Sequence, residues 1–402
     1  MGACWRWCWS SLLALVILSN LVPQMNAWWL LSQMQISAVG GSSPALCDLI
    51  PGLGRRQRRL CQLHPDVMKA ISDGIRRGVA ECQRQFSNYR WNCTTVEGSG
   101  FGRIMLKLGS REAAFVYAIS TASVVHSIAQ SCSSGQIVDC SCDRRRVGRG
   151  RDTEGEFSWG GCSDNLPYAI SFSRKFVDAR DRRSRDGRAL MNLHNNRAGR
   201  KAVKRNLRTQ CKCHGVSGSC ATRTCWKALP HFTAVGSDLN KRYQEALKVT
   251  VNPDGEGLIP ADHRRFDFLY GPKAAMFQRK RVSRADLVYF EPSPDYCEAD
   301  MRTGSLGTAG RQCNRTSNGQ DSCDIMCCGE AMTQLGCNAT SSATANLFGA
   351  AGSNASPVRK SSTFTPAKRR RLSRIVLAVS TRVATSYVIE TLGYRIQSGE
   401  AF

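Results

Sequence analysis

Acidic residues are scarce in this chain. Thirty-one Asp and Glu stand against 56 Lys and Arg over 402 residues, a formal net charge of +25. Such a surplus asks for an anionic partner. A long hydrophobic run is also lacking. Leu12 to Val22 is apolar but interrupted by Ser19 and Asn20, too short to span a bilayer comfortably. Ile375 to Tyr394 is partly apolar, but Arg382 and scattered Ser and Thr argue against a span. Cysteine is missing from 338–402, although all 20 cysteines stand before it. Each gap narrows the choice: an integral membrane protein is disfavoured, and the last segment has no covalent framework.

What is present at the N-terminus reads as a secretory signal. Arg6 precedes the apolar stretch, and residues 1–27 end at Ala27. A membrane anchor is the alternative. Secretion decides what cysteine means, because thiols oxidise outside the cytosol. Cys4 and Cys8 leave with the signal, and an even number remains for disulfides. A basic secreted protein meets sulfated glycans and anionic lipid heads rather than nucleic acid. The basic stretches are Arg144 to Arg151 and the run from Arg180 to Arg208, which includes Arg197, Arg200, Lys201, Lys204 and Arg205. A merely solvated helix face is the bland alternative.

Hydrophobic periodicity places helices in the first half. Val67, Ile71, Ile75, Val79, Cys82 and Phe86 form an i, i+4 stripe, which predicts one amphipathic helix over 61–86. Residues 111–131 are apolar nearly all round and predict a buried helix, with His126 packed inside it. Over 164–180, Asp164 is a plausible cap, and Pro167 confines the helix proper to the residues after it. Over 187–209, Leu190, Leu193, Val203 and Leu207 face inward and the Arg and Lys outward. "RQRR" at Arg56–Arg59 is either a processing site or the basic start of a helix.

The expected fold is therefore a mainly α N-terminal domain (28–210), a disulfide-stapled helical bundle. A β-hairpin finger (211–225) comes next. Residues 226–296 read as a linker with strands ("ALKVTV", 246–251; "DLVYF", 286–290) and a long loop. Residues 297–337 form a small, loop-rich cysteine region, and 338–402 a divergent, disordered basic tail. Asn92, Asn314, Asn338 and Asn354 begin N-glycosylation sequons; Asn92 and Asn314 sit in cysteine-anchored parts.

The densest chemistry is "CKCHGVSGSCATRTC", Cys211 to Cys225. Zinc could use its cysteines and His214, but an oxidising compartment favours disulfides. "GVSGS" approaches the G-x-S-x-G elbow, yet Ser219 occupies the last glycine position, and His231 and His263 lack a supporting pattern. A stapled loop remains. Nested bonds, Cys211 to Cys225 and Cys213 to Cys220, would make a narrow two-stranded finger. A fifteen-residue disulfide loop contributes about 3 kcal/mol in the chain-entropy model. Gly215 and Gly218 permit a tight turn at the tip, where Ser217 would project.

"CKCHGVSGSC", "RWNCTT" (90–95), "REAAFVYAIS" (111–120), "WGGCSDN" (159–165), "ALMNLHNNRAGRKAV" (189–203), "DLVYFEPSPDYC" (286–297), "GSLGTAGRQC" (304–313) and "CDIMCCG" (323–329) resemble the Wnt family of secreted, lipid-modified signals. The resemblance runs from about Cys47 to Gly329. It implies that Ser217, on a receptor-binding tip of His214, Gly215, Val216, Ser217 and Gly218, carries a palmitoleoyl ester added by the acyltransferase Porcupine. Wntless would carry the product outward. The acyl chain would enter a groove on the cysteine-rich domain of Frizzled receptors, beside LDL-receptor-related co-receptors and heparan sulfate proteoglycans. It implies no enzyme activity and no cofactor besides the covalent lipid. It also implies the pairs Cys82–Cys93, Cys132–Cys140, Cys142–Cys162, Cys297–Cys328 and Cys313–Cys323, and leaves Cys47 and Cys61 to pair by elimination.

The pattern breaks at Glu330. Wnts continue past "CCG" with a dense cysteine run that builds a second finger touching Frizzled from the opposite side; here the sequence reads "CCGEAMTQLGCNATSS". The partners of Cys327 and Cys337 stay open. An alternative transcript, a retained intron or a faulty gene model would each produce such a break. The expectation is a Wnt-type ligand in the extracellular space and matrix, weakened or dominant-negative. A secreted glycan-binding matrix protein is the alternative.

Overall fold

The computed structural model describes residues 46–50, 53–93, 108–184, 186–255, 257–261, 282–300, 302–328 and 338–340. All lie in the first of two compact units, Met1–Ala343; the second is Thr344–Phe402. The signal reading of 1–27, Cys337, the Asn354 sequon and the tail beyond 340 lie outside the described residues.

Two helices replace the single one expected over 61–86: α1 (Arg55–Leu63) and α2 (Pro65–Gln85). Pro65 has no N–H to donate, so it fits only a first turn, and the chain breaks at His64. "RQRR" lies inside α1, where buried Gln57 donates to the Phe176 carbonyl at 2.9 Å. The stripe of α2 packs inward, with Val67, Ile71, Ile75, Cys82 and Phe86 buried.

Helix α3 (Arg111–Ser133) starts at Ser110, whose hydroxyl accepts the Ala113 N–H at 3.3 Å. Its residues from Glu112 to Ala129 are all buried. Nothing in that stretch faces water, so other helices must surround it: α2, α4 (Leu166–Phe176), α5 (Gly187–Arg205) and α6 (Phe232–Gln244). At the α3–α5 crossing a Cβ on Gly199 would sit 2.9 Å from the Ala118 carbonyl carbon, so only glycine allows that approach. His126 is packed inside, as the pattern suggested. Its Nε2–H donates to the Pro230 carbonyl at 2.9 Å and its Nδ1 accepts from Arg77 at 3.2 Å. Burial holds it below the ordinary imidazole range.

Three expectations change here. Asn165, not Asp164, caps α4 by accepting the Tyr168 N–H at 3.1 Å. Asp164 instead accepts from Ser133 and from the Leu229 N–H, at 2.5 and 2.6 Å. The inward face of α5 carries four polar side chains: Asn192, Asn195, Asn196 and Arg200 are buried with Met191, Ala202 and Val203, while Leu190, Leu193 and Leu207 are half-buried. Arg200 leaves the basic surface altogether. It grips Asp178 with two hydrogen bonds of 3.0 and 2.8 Å, and Asn196 joins Thr121 to the same carboxylate. Finally, Phe232–Gln244, expected within a linker, is a core helix. Phe232, Val235, Leu239 and Tyr243 of α6 belong to the central core, and the Phe86 ring meets Phe115 and Tyr243 at 4.7 and 4.8 Å.

Behind the bundle, β5 (Leu247–Val251) pairs with β6 (Leu258–Pro260) and β7 (Val288–Tyr289). Asn195 holds β7 by bonding both the N–H and C=O of Val288. The cysteine region carries β8 (Ala299–Asp300), β9 (Ser305–Leu306), β10 (Gln312–Asn314) and α7 (Cys323–Met326). Asn338–Thr340, placed in the tail by composition, is a strand (β11) pairing parallel to β10.

Removing Arg200 would strand the buried Asp178 carboxylate. Arg200→Ala is expected to lower stability by about 3–5 kcal/mol, read as an earlier urea unfolding midpoint of the secreted protein.

Candidate functional site

A four-stranded sheet stands beside the bundle in the order β1-β2-β4-β3. Its strands are β1 (Arg149–Asp152), β2 (Gly155–Trp159), β3 (Arg208–Cys213) and β4 (Arg223–Ala228). β3 and β4 form the antiparallel finger, longer at its base than 211–225. The β1–β2 hairpin is hidden by its arginines, which read as part of a polyanion-binding stretch, Arg144 to Arg151. A turn sequence, Asp152 to Gly155, with alternating Phe157 and Trp159 after it, was the available signal.

Two disulfides staple the finger. Cys211 and Cys225 face each other in register with Cα atoms 4.0 Å apart, and Cys213 bonds Cys220 across seven positions. Bonded sulfurs leave no thiolate ligands in the cluster. The remaining pairs are Cys47–Cys61, Cys82–Cys93, Cys132–Cys140, Cys142–Cys162, Cys297–Cys328 and Cys313–Cys323. Cys327 is buried in the small cluster with Cys313, Cys323 and Met326.

The tip is one tight turn, Val216–Gly218. The Gly215 N–H donates to the Ser219 carbonyl at 2.8 Å, the Gly218 N–H to Gly215 at 2.9 Å, and the Ser219 N–H to Val216 at 3.1 Å. Ser217 is exposed and left-handed, at φ 54° and ψ 27°. A non-glycine residue there costs roughly 1–2 kcal/mol, which the surrounding staples must hold. Val216 beside it is 90% exposed. The two serines differ: Ser219 folds over Gly215, whereas Ser217 stands at the apex. His214 lies lower on the finger, its Nε2 3.0 Å from the Thr224 hydroxyl. His231 bonds Thr233 at the start of α6, and His263 lies outside the described residues.

Part of the basic surplus is matched internally. Arg145 pairs with Asp143 at 2.8 Å, and Arg205 pairs with Asp238. Arg146 lies over the Trp159 ring at 5.0 Å, with Lys227 at 5.7 Å. Arg144, Arg149, Arg151, Arg208 and Lys212 are exposed. Asn92 lies just beyond α2 and Asn314 in β10, both half-buried. The Asn314 side-chain oxygen accepts the Thr316 N–H and hydroxyl, at 3.1 and 3.0 Å.

The Wnt family model matches residues 49–343, reaching past Glu330. Among solved structures, a chain of human WLS in complex with WNT8A aligns at 33% identity over 67% of this chain and 80% of that one, with a TM-score of 0.45. The crystal structure of the Drosophila WntD N-terminal domain-linker aligns at 21% identity over 57% of this chain and 98% of that one, with a TM-score of 0.38.

The tip closes only because Gly215 has no side chain. A Cβ there would lie 2.5 Å from the Ser219 carbonyl oxygen and closer still to its hydroxyl. Gly215→Ala is expected to impair Cys213–Cys220 pairing, seen as two alkylatable thiols in the finger peptide by mass spectrometry.

Proposed function

Because this chain belongs to the Wnt family, whose members are secreted signalling ligands rather than enzymes, we propose that it signals through an acyl ester on Ser217, docked in the cysteine-rich domain of a Frizzled receptor. One observation carries the reading: an exposed serine, held left-handed at the apex of a doubly stapled finger. Porcupine would esterify Ser217 with a palmitoleoyl group. Burying each methylene contributes about 0.8 kcal/mol, so the chain supplies much of the affinity while the finger supplies placement. Wntless would carry the acylated protein to the surface, LDL-receptor-related co-receptors would complete the complex, and glycans would attach at Asn92 and Asn314.

A second reading has its own support. The exposed arginines of β1 and β3 would suit heparan sulfate, and an unacylated chain of this charge would act as a matrix protein.

The sequence past Gly329 lacks the cysteine run of a second finger. This ligand therefore leans on the first finger, and its signalling would be weak or dominant-negative.

Mass spectrometry of the Cys211–Cys225 peptide from secreted protein is expected to find the acyl adduct on Ser217; a bare serine in active material would refute the proposal. Affinity for the Frizzled domain is expected to fall below that of a Wnt with both fingers, and equal affinity would remove the claim of weakness.

A further inference from the structure

Both finger disulfides join residues of the finger to each other, so they set its shape and not its direction. Direction must come from contacts to the rest of the fold. The backbone holds only the base: β4 pairs with β2 at Ser158–Thr224 and Trp159–Cys225, and the Gly160 and Asp164 N–H groups donate to the Cys225 and Lys227 carbonyls at 3.1 and 2.8 Å. Nearer the tip, that pairing stops. An isolated two-stranded hairpin is marginal and free to swing.

Arg223 stands at that point. It faces Cys213 in register, at the root of the inner disulfide loop. Its side chain is only 2% exposed, and every acceptor it uses belongs to the β1–β2 hairpin. One nitrogen donates to the Glu154 carboxylate at 2.6 Å. Another donates to the Gly155 carbonyl at 2.9 Å and to the Asp152 carboxylate. Nε reaches the Glu156 carbonyl at 3.4 Å. The guanidinium carbon lies 5.7 Å from the centre of the Phe157 ring. Because β2 runs parallel to β4, the β1–β2 turn and the finger tip emerge at the same end of the sheet. The turn therefore runs beside the finger, and Arg223 ties them together. Only the planar fork of arginine offers donors toward two carboxylates and two carbonyls at once.

We propose that Arg223 is a positioning residue: through Asp152, Glu154 and the Gly155 and Glu156 carbonyls it splints the finger to the β1–β2 hairpin and so fixes where Ser217 is presented. This rests on the acylation of Ser217 only for its effect on receptor affinity; the splint itself does not depend on a lipid.

The test uses the full secreted chain and three variants: Arg223→Ala, Arg223→Lys, and Asp152→Asn combined with Glu154→Gln, which leaves the finger's own sequence intact. Hydrogen exchange is expected to speed up across 208–228 in Arg223→Ala and in the double variant, with the helical bundle unchanged and Arg223→Lys between. Ser217 acyl occupancy should stay at the parent level. The acylated fraction should bind the Frizzled domain about tenfold more weakly, the cost of losing a pre-set geometry. Unchanged exchange in the finger would overturn the proposal. So would finger and bundle loosening together, since Arg223 would then merely support the fold. Repeating the exchange measurement in a Ser217→Ala background separates the two readings. Faster exchange there, alongside a bare serine in the parent, keeps the splint and discards the lipid.

Discussion

Helix α3 cannot tolerate water on any side, and most of the fold is a consequence of that constraint. Its side chains from Glu112 to Ala129 are buried, so the chain must return to it repeatedly. Helices α2, α4, α5 and α6 supply the covering. The apolar area removed from water drives this assembly, at about 25 cal/mol per Å². Contacts close enough to shut out water need small residues at the crossings, which is why Gly199 meets the Ala118 backbone directly. Polar groups carried into this interior had to be matched within it. Arg200 and Asp178, with Asn196 and Thr121, form one connected set of donors and acceptors, in which Arg200 Nε alone has no hydrogen-bond partner among the described residues.

The finger obeys the opposite logic. Strand β3 is exposed along nearly its whole length and cannot rely on burial. Covalent bonds give its shape instead, and the left-handed Ser217 is a strain that shape imposes. Shape alone does not aim an object that leaves the core. Aim requires a contact outside the finger, and the charged fork of Arg223 is placed to give it. A receptor contact that depends on a single flexible acyl chain gains most when the group bearing it is held still.

Legibility in the sequence tracked how directly a residue's chemistry forces its surroundings. An all-round apolar run such as α3 has one solution, and it could be read without any fold in mind. Cysteine in an exported chain is nearly as direct. The polar residues of α5 were unreadable because Asn and Arg are taken as surface residues until their partners, 11 to 93 positions away, are known. Helix α6 had a usable pattern in Phe232, Val235, Leu239 and Tyr243, obscured by the change in composition around it. Pro65 was equally visible, and its effect on α2 is local chemistry. Arg223 was not: a single arginine in a basic chain carries no sign that four acceptors on a distant hairpin await it.

The cysteine region shows how a lobe with almost no core is kept in place. Its two disulfides close on themselves, so they do not anchor it to the bundle. Two arginines do. Arg311 donates to the carbonyls of Ser87, Tyr89 and Arg90, just past the end of α2. Arg90 returns the contact by donating to the Ile325 carbonyl in α7 at 2.6 Å. Each cation thus meets backbone carbonyls of the other part. Burial lowers the Arg311 pKa, so the carbonyls must replace the water it loses. These contacts use "RWNC" and "GRQC", and none involves a residue beyond Cys328. The part of the lobe that precedes Glu330 is therefore tied to the bundle by groups upstream of the break.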